Sequence, residues 1–332
     1  MLVILAAMTV IGLLVLFFSS RRIIHRESSP ISDFALAASK ITGGRFDVPI
    51  KETGTQDELE DLGDALRYMQ QSVTDYIEKL ETTMSEKRRL ESELDVARNI
   101  QMQMLSKQFP HMEHAGVYAS CTPAREVGGD LYDFVISGDS IYFVLGDVSG
   151  KGVPAALLMA ITIAAFRAIG KKGHDIAEIA SRVNNTFCRS NDDLMFVTLV
   201  VGKLDMSNGH VTFCNAGHNP MVLVDDKGKA EFIKCKPNVA CGILEGFPYE
   251  EESFDMKPGS RLIVYSDGIT EAEDSVKNQF GEDRLIEWAE KCDTKCSDQE
   301  AVNSLAESVH EFVKGAEPND DRTILALSYS MA

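Results

Sequence analysis

The sequence predicts an α+β region of antiparallel strands and helices, preceded by long helices. From about residue 117, short runs rich in β-branched and aromatic residues follow one another in hairpin-like succession. These strand-like runs are VYASC, YDFVI, SIYFVL, MFVTLVVGKL, VTFCNA, MVLV, SRLIVYS and TILALSYS. Helical runs are inserted in pairs, at residues 153–169, 175–189, 282–291 and 298–314. This order favours antiparallel sheets over a parallel βαβ sheet.

Composition narrows the class of protein. The 332 residues suffice for more than one domain, and a hydrophobic content of 44% is that of a globular chain. A formal net charge of -18 argues against a nucleic-acid-binding surface. Among the seven cysteines there is no CxxC pair, and Cys292 and Cys296 lack a second Cys or His pair at zinc spacing. We therefore expect reduced thiols in a cytosolic domain, not disulfides or a zinc site.

The N-terminal segment has the pattern of a membrane anchor. Residues 1–18 carry no charge, and Arg21, Arg22 and Arg26 follow them. A signal peptide has the reverse order, so we predict a retained transmembrane helix over residues 1–20 with the rest of the chain cytoplasmic. The alternative is a buried helix, because the run is near the lower length limit for a span. Nothing in this segment could sense a signal outside the cell, and the sequence leaves open whether a sensor region precedes it.

Residues 21–75 contain two predicted helices separated by a glycine break. Their features are Pro30-Ile31 opening a first helix, a Gly43-Gly44 break with Phe46 and Val48 after it, and Asp57-Glu58-Leu59 opening a second helix. The segment resembles a HAMP domain. The resemblance implies a short parallel helical bundle, normally dimeric, that relays the movement of a transmembrane helix. The alternative is an unrelated amphipathic hairpin.

A heptad seam starts in the second helix. Apolar residues recur at steps of three and four, at Leu59, Leu62, Leu66, Met69, Val73, Tyr76 and Leu80. The seam weakens at Thr83 and Lys87, then resumes at Leu90, Leu94 and Ala97 before it meets Gln101 and Met104. So regular a seam needs a partner helix, and we predict a parallel homodimer with a coiled-coil linker over residues 76–108. The linker stops there because Pro110 ends the helix. Packing on the chain's own domain is the alternative, and it is equally favoured for residues 90–104.

Acidic residues stand beside four strand-like runs. In GDVSGKG, Asp147 ends the run SIYFVL, and Gly150 and Gly152 then turn the chain into an apolar helix. The other acidic positions are Asp130 in GGD, Asp267 in YSDG, and Asp320 and Asp321 in NDD. Carboxylates that converge at strand ends form a site for hard cations. The alternative is that each aspartate is a turn or cap residue.

Five motifs in order carry a family resemblance. They are TPAREVGGDLYDF, GDVSGKGVPAALLM, NAGHNP, LIVYSDGITEA and NDDRT. Together they resemble the metal-dependent (PPM) serine/threonine phosphatases in their bacterial SpoIIE/RsbU-like branch, over residues 97–330. The segment LDVARNIQMQMLSKQFP resembles the helix that precedes the catalytic domain in that branch, where it moves active-site elements. The resemblance implies two antiparallel sheets sandwiched by helices over residues 109–332, with a metal site at one end.

The resemblance also implies residue roles. Asp147 would bridge two Mn²⁺ or Mg²⁺ ions, and the carbonyl of Val148 would complete one shell. Asp267 and Asp320 would supply further ligands, and Asp130 would hold metal-bound water or bind metal directly. Sequence leaves open which of Asp320 and Asp321 faces the metal; Asp320 is favoured because the family often has Asn after the ligand. Two such cations activate a water that attacks phosphorus in line, without a covalent enzyme intermediate.

Three further residues have two interpretations each. His218 in NAGHNP could be a general acid, but Asn, Gly and Pro are turn residues, so we favour a structural role in its loop. Arg125 and Lys151 could meet the phosphate, although Lys151 could equally be a solvated loop residue. The eukaryotic relatives anchor phosphate with an Arg near their N-terminus, for which no secure equivalent exists here.

The predicted function is a phosphoserine/phosphothreonine protein phosphatase, anchored in a bacterial inner or plasma membrane and regulated by its HAMP domain. The resemblance implies a phosphorylated STAS-type anti-anti-sigma protein as substrate in a partner-switching pathway. The alternative is an inactive phosphatase-like scaffold, but its mark, a missing metal carboxylate, is absent. Leu131 stands where the GGDEF signature of diguanylate cyclases needs an acidic residue, and GDVSGKG does not fit a P-loop.

Overall fold

A computed structural model describes residues 2–54, 57–170, 175–189, 195–236 and 238–330. The chain divides into two compact units, Met1–Leu90 and Glu91–Ala332. Two long helices account for most of the first unit, and the second helix continues into the second unit. They are α1 (Leu2–Thr42) and α2 (Glu58–Met104).

The segment between α1 and α2 matches the expected break and restart of the helix. Gly44 has a φ of 83°, which ends α1 in a turn. Asp57 caps α2, because its Oδ1 accepts a hydrogen bond from the Leu59 N–H at 3.1 Å. The extended chain between them is held by Gln70, whose side-chain amide donates to the carbonyls of Phe46 (2.6 Å) and Val48 (2.8 Å).

Pro30 lies inside α1, so the prediction that it opens a helix is wrong. A proline at a helix start and a proline inside a longer helix are hard to distinguish in sequence, since both positions only need to tolerate the missing N–H. As a result, the predicted transmembrane segment and the first HAMP helix form one continuous helix. From Ala7 onward this helix is long and apolar enough to cross a membrane, and its apolar window is fully exposed.

Two five-stranded antiparallel sheets form the second unit, which confirms the predicted fold class. In spatial order the first sheet contains β1 (Ala115–Thr122), β10 (Arg322–Tyr329), β9 (Arg261–Tyr265), β6 (Val222–Val224) and β7 (Ala230–Phe232). The second contains β2 (Leu131–Ser137), β3 (Ser140–Val148), β4 (Val197–Asp205), β5 (His210–Ala216) and β8 (Glu252–Asp255). Strands β7 and β8 were not predicted, because three or four residues are too few for an alternating pattern.

Helices cover the outer face of each sheet. The second sheet is covered by α3 (Val153–Gly170) and α4 (Ile176–Arg189). The first is covered by α6 (Gly281–Lys291) and α7 (Asp298–Val313), and a single turn, α5 (Asp267–Thr270), follows β9. Helix α3 also passes the length and hydropathy test for a membrane span, but it packs against β2 and β3. One face of α3 is therefore in the core, while Val153, Leu157 and Ile161 are exposed.

The two halves of the α2 seam have different surroundings. In the second half, Gln101 and Leu105, just beyond the helix end, are buried, and Leu94 and Ala97 are partly buried. The end of this half therefore packs in part on the domain that follows it, whereas Leu90 is 57% exposed. In the first half four seam side chains are exposed, Leu62, Met69, Tyr76 and Leu80, and the other three, Leu59, Leu66 and Val73, are partly buried.

Candidate active site

The acidic motifs meet at one end of the sandwich. Asp130 directly precedes β2, and Asp147 is the penultimate residue of β3. Asp267 begins α5 directly after β9, and Asp320-Asp321 directly precede β10. A narrow cleft at this end is lined by Asp147, Asp320, Asp321, Lys151, Arg125 and the Gly128-Gly129 backbone.

These carboxylates raise one another's pKa. Burial, and then the charges of neighbouring carboxylates, raises the pKa of Asp147 to about 7; those neighbours are Asp267, Asp320 and Asp321. Burial is also the main cause that raises the pKa of Asp130 well above its usual range, followed by the charge of Asp147. Burial and then the Asp320 charge raise the pKa of Asp267. The cluster therefore concentrates more negative charge than the protein around it neutralises.

The donor set fits a hard dication. Asp130 Oδ2 is buried and has no hydrogen-bond partner among the residues described. A Cβ at Gly129 would lie 2.7 Å from the Val148 carbonyl oxygen and 3.1 Å from Asp147 Oδ1, so glycine keeps the space beside these two oxygens free. Carboxylate and carbonyl oxygens are the ligands that Mg²⁺ and Mn²⁺ prefer. Across the described ranges no three His, Cys, Asp or Glu side chains are already grouped as ligands of one ion.

Asp320 and Asp321 have different contacts. Asp321 is buried, and its carboxylate accepts hydrogen bonds from the backbone N–H groups of Ala124 (2.8 Å) and Gly129 (2.9 Å). Asp321 thus holds the loop that leads to Asp130. The Asp320 side chain is partly exposed and makes an ion pair with Lys151. This difference favours Asp320 as the residue with a carboxylate available to a metal.

Lys151 lies over the same cleft. Its Nζ donates to Asp320 Oδ2 and to the Asn319 carbonyl, each at 3.0 Å. Gly150 and Gly152 flank it with φ values of 89° and 82°, so the tight turn that they permit directs Lys151 toward the carboxylates. The side chain is therefore part of the site's electrostatics, as well as partly solvated.

Comparison with known families agrees with this arrangement. The model of the Stage II sporulation protein E (SpoIIE) family matches residues 137–330, and the HAMP domain model matches residues 22–75. The chain belongs to the SpoIIE family of PPM-type phosphatases. It carries a HAMP domain before its phosphatase domain.

Individual relatives extend the comparison. Protein IcfG of Synechocystis is 29% identical over 340 residues, which cover 93% of this chain and 52% of that protein. The chain thus spans about half the length of IcfG. Phosphoserine phosphatase RsbU of Bacillus subtilis is 28% identical over 243 residues, covering 72% of this chain and 70% of RsbU. A crystal structure of RsbU and RsbW domains from Mycobacterium tuberculosis aligns with a TM-score of 0.57 at 26% identity, covering 67% of this chain and 61% of that one.

His218 of this SpoIIE-family phosphatase connects the two sheets. Its Nε2 lies 3.0 Å from the Tyr265 carbonyl, which can only accept, so Nε2 carries the proton. Nδ1 then accepts from the Thr198 hydroxyl at 2.9 Å. Burial lowers the pKa of His218 to about 4, so the ring is neutral. Because Thr198 pairs with Asp147 and Tyr265 leads to Asp267, His218 holds two acidic strand ends in place, and the structural interpretation is the one that its contacts favour.

Gln101 is a site residue that the sequence did not reveal. Its side-chain amide donates to the Gly128 carbonyl at 2.6 Å, and its Oε1 accepts from the Gly128 N–H at 3.2 Å. Gly128 is two residues before Asp130, so the end of α2 supports the loop that carries a catalytic candidate. A polar residue at a seam position was the available signal. Thr198, in contrast, is one of many strand threonines and has no distinguishing pattern.

Proposed function

We propose that this chain is a membrane-anchored phosphatase that hydrolyses phosphoserine or phosphothreonine in a protein, with two Mn²⁺ or Mg²⁺ ions. The observation that carries the proposal is Asp147, whose pKa is raised to about 7 by burial and then by three neighbouring carboxylates. Such a cluster is stable in its charged form only when cations compensate it. Membership of the SpoIIE family supports the same reaction.

The residues would divide the work as follows. Asp147, Asp267, Asp320 and the Val148 carbonyl would hold the ions. When bound, two such ions supply an activated water and neutralise the phosphate. Asp130, with a buried oxygen that has no partner in the described chain, would orient the attacking water. Lys151 and Arg125 line the cleft and would bind the phosphate oxygens.

The proposed substrate is a phosphorylated STAS-domain anti-anti-sigma protein. Similarity to a phosphoserine phosphatase, RsbU, supports phosphoserine as the target. The solved structure that combines RsbU and RsbW domains supports a role in partner switching. An inactive scaffold is the alternative, and the presence of every acidic motif residue argues against it.

Anchoring and dimerisation complete the proposal. The exposed apolar window of α1 and the HAMP match support a membrane-anchored, HAMP-regulated protein with its phosphatase domain in the cytoplasm. The exposed seam of α2, with Leu62 and Leu80, supports a parallel homodimer. The topology is tested with a reporter fused after Ala332. Activity of the reporter only outside the cytoplasm would overturn the proposed orientation.

The reaction is tested on the full chain in detergent. We expect hydrolysis of p-nitrophenyl phosphate that requires Mn²⁺ or Mg²⁺ and stops with EDTA, and faster release of phosphate from a phosphorylated STAS protein of the same genome. Turnover that survives EDTA would remove the two-metal mechanism. Metal binding without any turnover on either substrate would favour the scaffold.

A further inference from the structure

Two cysteines come together far from the acidic cleft. Cys292 ends α6 and Cys296 stands just before α7, and both are partly exposed. The Cys296 N–H donates to the Asp293 carbonyl at 3.1 Å, which closes the loop into a turn. This turn brings the two Sγ atoms to 3.8 Å from each other. A disulfide bond is about 2.05 Å long, so the two sulfurs would have to approach by roughly 1.8 Å to be joined.

A buried cation contacts both sulfurs. Arg261 Nη1 lies 3.5 Å from Cys296 Sγ and 3.8 Å from Cys292 Sγ. Its Nε donates to Asp298 Oδ1 at 2.9 Å, which fixes the guanidinium in this position. A neighbouring arginine stabilises a thiolate, which is the reactive form of cysteine. Cys296 Sγ is the closer of the two sulfurs to this cation.

We propose that Cys292 and Cys296 are a modification site, a dithiol that a low-molecular-weight disulfide oxidises reversibly. The Cys296 thiolate attacks one sulfur of the small disulfide, and one small thiolate leaves. The Cys292 thiolate then attacks the Cys296 sulfur of the mixed disulfide, and the second small thiolate leaves. The protein loses two electrons and two protons, and the small disulfide is reduced to two thiols.

The order of the two attacks follows from the surroundings of each sulfur. Burial, and then the neighbouring Cys296, raises the pKa of Cys292 to about 11, which disfavours Cys292 as the first attacker. Its role is to resolve the mixed disulfide once Cys296 holds the small thiol beside it. Cys188, Cys235 and Cys241 each donate to an oxygen, at 3.7, 3.3 and 3.6 Å. Cys292 also points at an oxygen, the Asp293 carbonyl at 4.0 Å, but it has in addition the sulfur of Cys296 beside it.

The sequence offers a direct readout. Lys291 precedes Cys292, and Lys295 separates it from Cys296, so trypsin releases the two cysteines in different peptides. After treatment of the full-length protein with oxidised glutathione, we expect peptides 292–295 and 296–314 to remain joined until dithiothreitol separates them. No joined peptide, with both thiols still free while Cys188 is modified, would overturn the proposal.

Three variants test the order of attack. Cys292→Ser should trap glutathione on Cys296, because no thiol remains to resolve it. Cys296→Ser should acquire glutathione on Cys292 at least ~10-fold more slowly, since Cys292 Sγ lies farther from Arg261 and burial raises its pKa. Cys188→Ser is the matched control and should form the joined peptides as the unaltered chain does. Equal rates in the first two variants would overturn the assigned order.

Discussion

Strand β9 has charged side chains at both of its ends. The charges at its start are paired with opposite charges, whereas those after its other end lie beside like charges. At its start, Arg261 and Asp298 form an ion pair whose side chains are each 6% exposed. Asp298 Oδ2 also accepts from Ser328 at 2.7 Å, so both carboxylate oxygens have partners. After its other end, Asp267 joins Asp147 and Asp320, and their charges oppose one another.

The difference separates a structural charge from a functional one. Burial by itself would lower the pKa of Arg261, but the Asp298 carboxylate outweighs it and the pKa is raised. There the chain supplies both charges, and the charged forms are stable. In the acidic cluster burial and mutual repulsion raise the pKa of the carboxylates, and the proposed cations would compensate their charge.

The largest expected effect on stability comes from breaking the Arg261–Asp298 ion pair at the start of β9. Asp298→Ala leaves Arg261 buried without its partner, and we expect the free energy of unfolding to fall by about 3–5 kcal/mol. Urea denaturation of the full chain in detergent measures it. Ser328→Ala is the control, since it removes one hydrogen bond and should cost about 1 kcal/mol. Equal losses in the two variants would mean that the ion pair does not stabilise this end.

Removing a charge from the acidic cluster should lower activity without lowering stability. Asp147→Asn should lower kcat at least ~10²-fold, or about 2.7 kcal/mol, because it removes the proposed bridging ligand. Its metal-free form should be at least as stable as the unaltered chain, since one repelling charge is gone. Phosphatase assays and thermal melts in EDTA measure the two effects. Asp139→Asn, in the exposed β2–β3 turn, is the control and should change neither activity nor stability. If Asp147→Asn lost stability but kept its activity, the proposed difference between the two ends of β9 would be wrong.

His218 tests the neutral connection between the acidic strand ends. Its pKa is about 4 in the fold and ~6.5 in an unfolded chain, so between these values the unfolded state binds more protons. Stability contributed by the neutral ring is therefore present above pH ~6.5 and is lost as the pH falls toward 4, by about 2 kcal/mol at pH 5. His218→Gln should lose less stability than the unaltered chain between pH 7 and pH 5.

The control for that prediction is His210→Gln. His210 lies on β5 with an exposed side chain paired to Asp255, so its replacement leaves the His218 imidazole in place. Unfolding curves at pH 7 and pH 5 should show the same loss for His210→Gln and for the unaltered chain. A smaller loss in both variants would assign the pH dependence to another group.

The sequence predicted the features that depend on local residue patterns. The long strands and paired helices follow from periodicity, and the aspartates could be located because each stands beside a strand-like run. The pair Arg261–Asp298 could not be predicted, since its members are 37 residues apart and a carboxylate at a helix start usually caps or faces solvent. Which of Asp320 and Asp321 has a carboxylate available to a metal likewise depends on hydrogen bonds from the Ala124–Gly129 loop. These contacts are distant in sequence and could not be predicted from the neighbouring residues.

The smallest effect should come from the linker helix. Gln101 makes two hydrogen bonds to Gly128, so α2 contributes to the position of Asp130 without contacting the metal cluster. Partly buried Leu94 lies two turns earlier on the same helix. We expect Gln101→Ala and Leu94→Glu to change kcat or Mn²⁺ affinity by at least ~5-fold, the lower end of a typical coupling of 1–3 kcal/mol between distant sites.

Three further proteins show whether this change reaches the acidic cluster through α2. Gln103→Ala is the matched control, because Gln103 is two residues away on the exposed face of the same helix. A shortened protein of residues 59–332 keeps the seam and Gln101, whereas one of residues 109–332 loses both. Turnover, Mn²⁺ affinity and dimerisation are measured for each, with circular dichroism to establish that each is folded. If the end of α2 positions Asp130, the 109–332 protein should behave like Gln101→Ala, and Gln103→Ala like the unaltered chain. Equal turnover and equal Mn²⁺ affinity in all of them would mean that α2 is a passive tether. The properties of the acidic cluster would then depend on the two sheets and their loops alone.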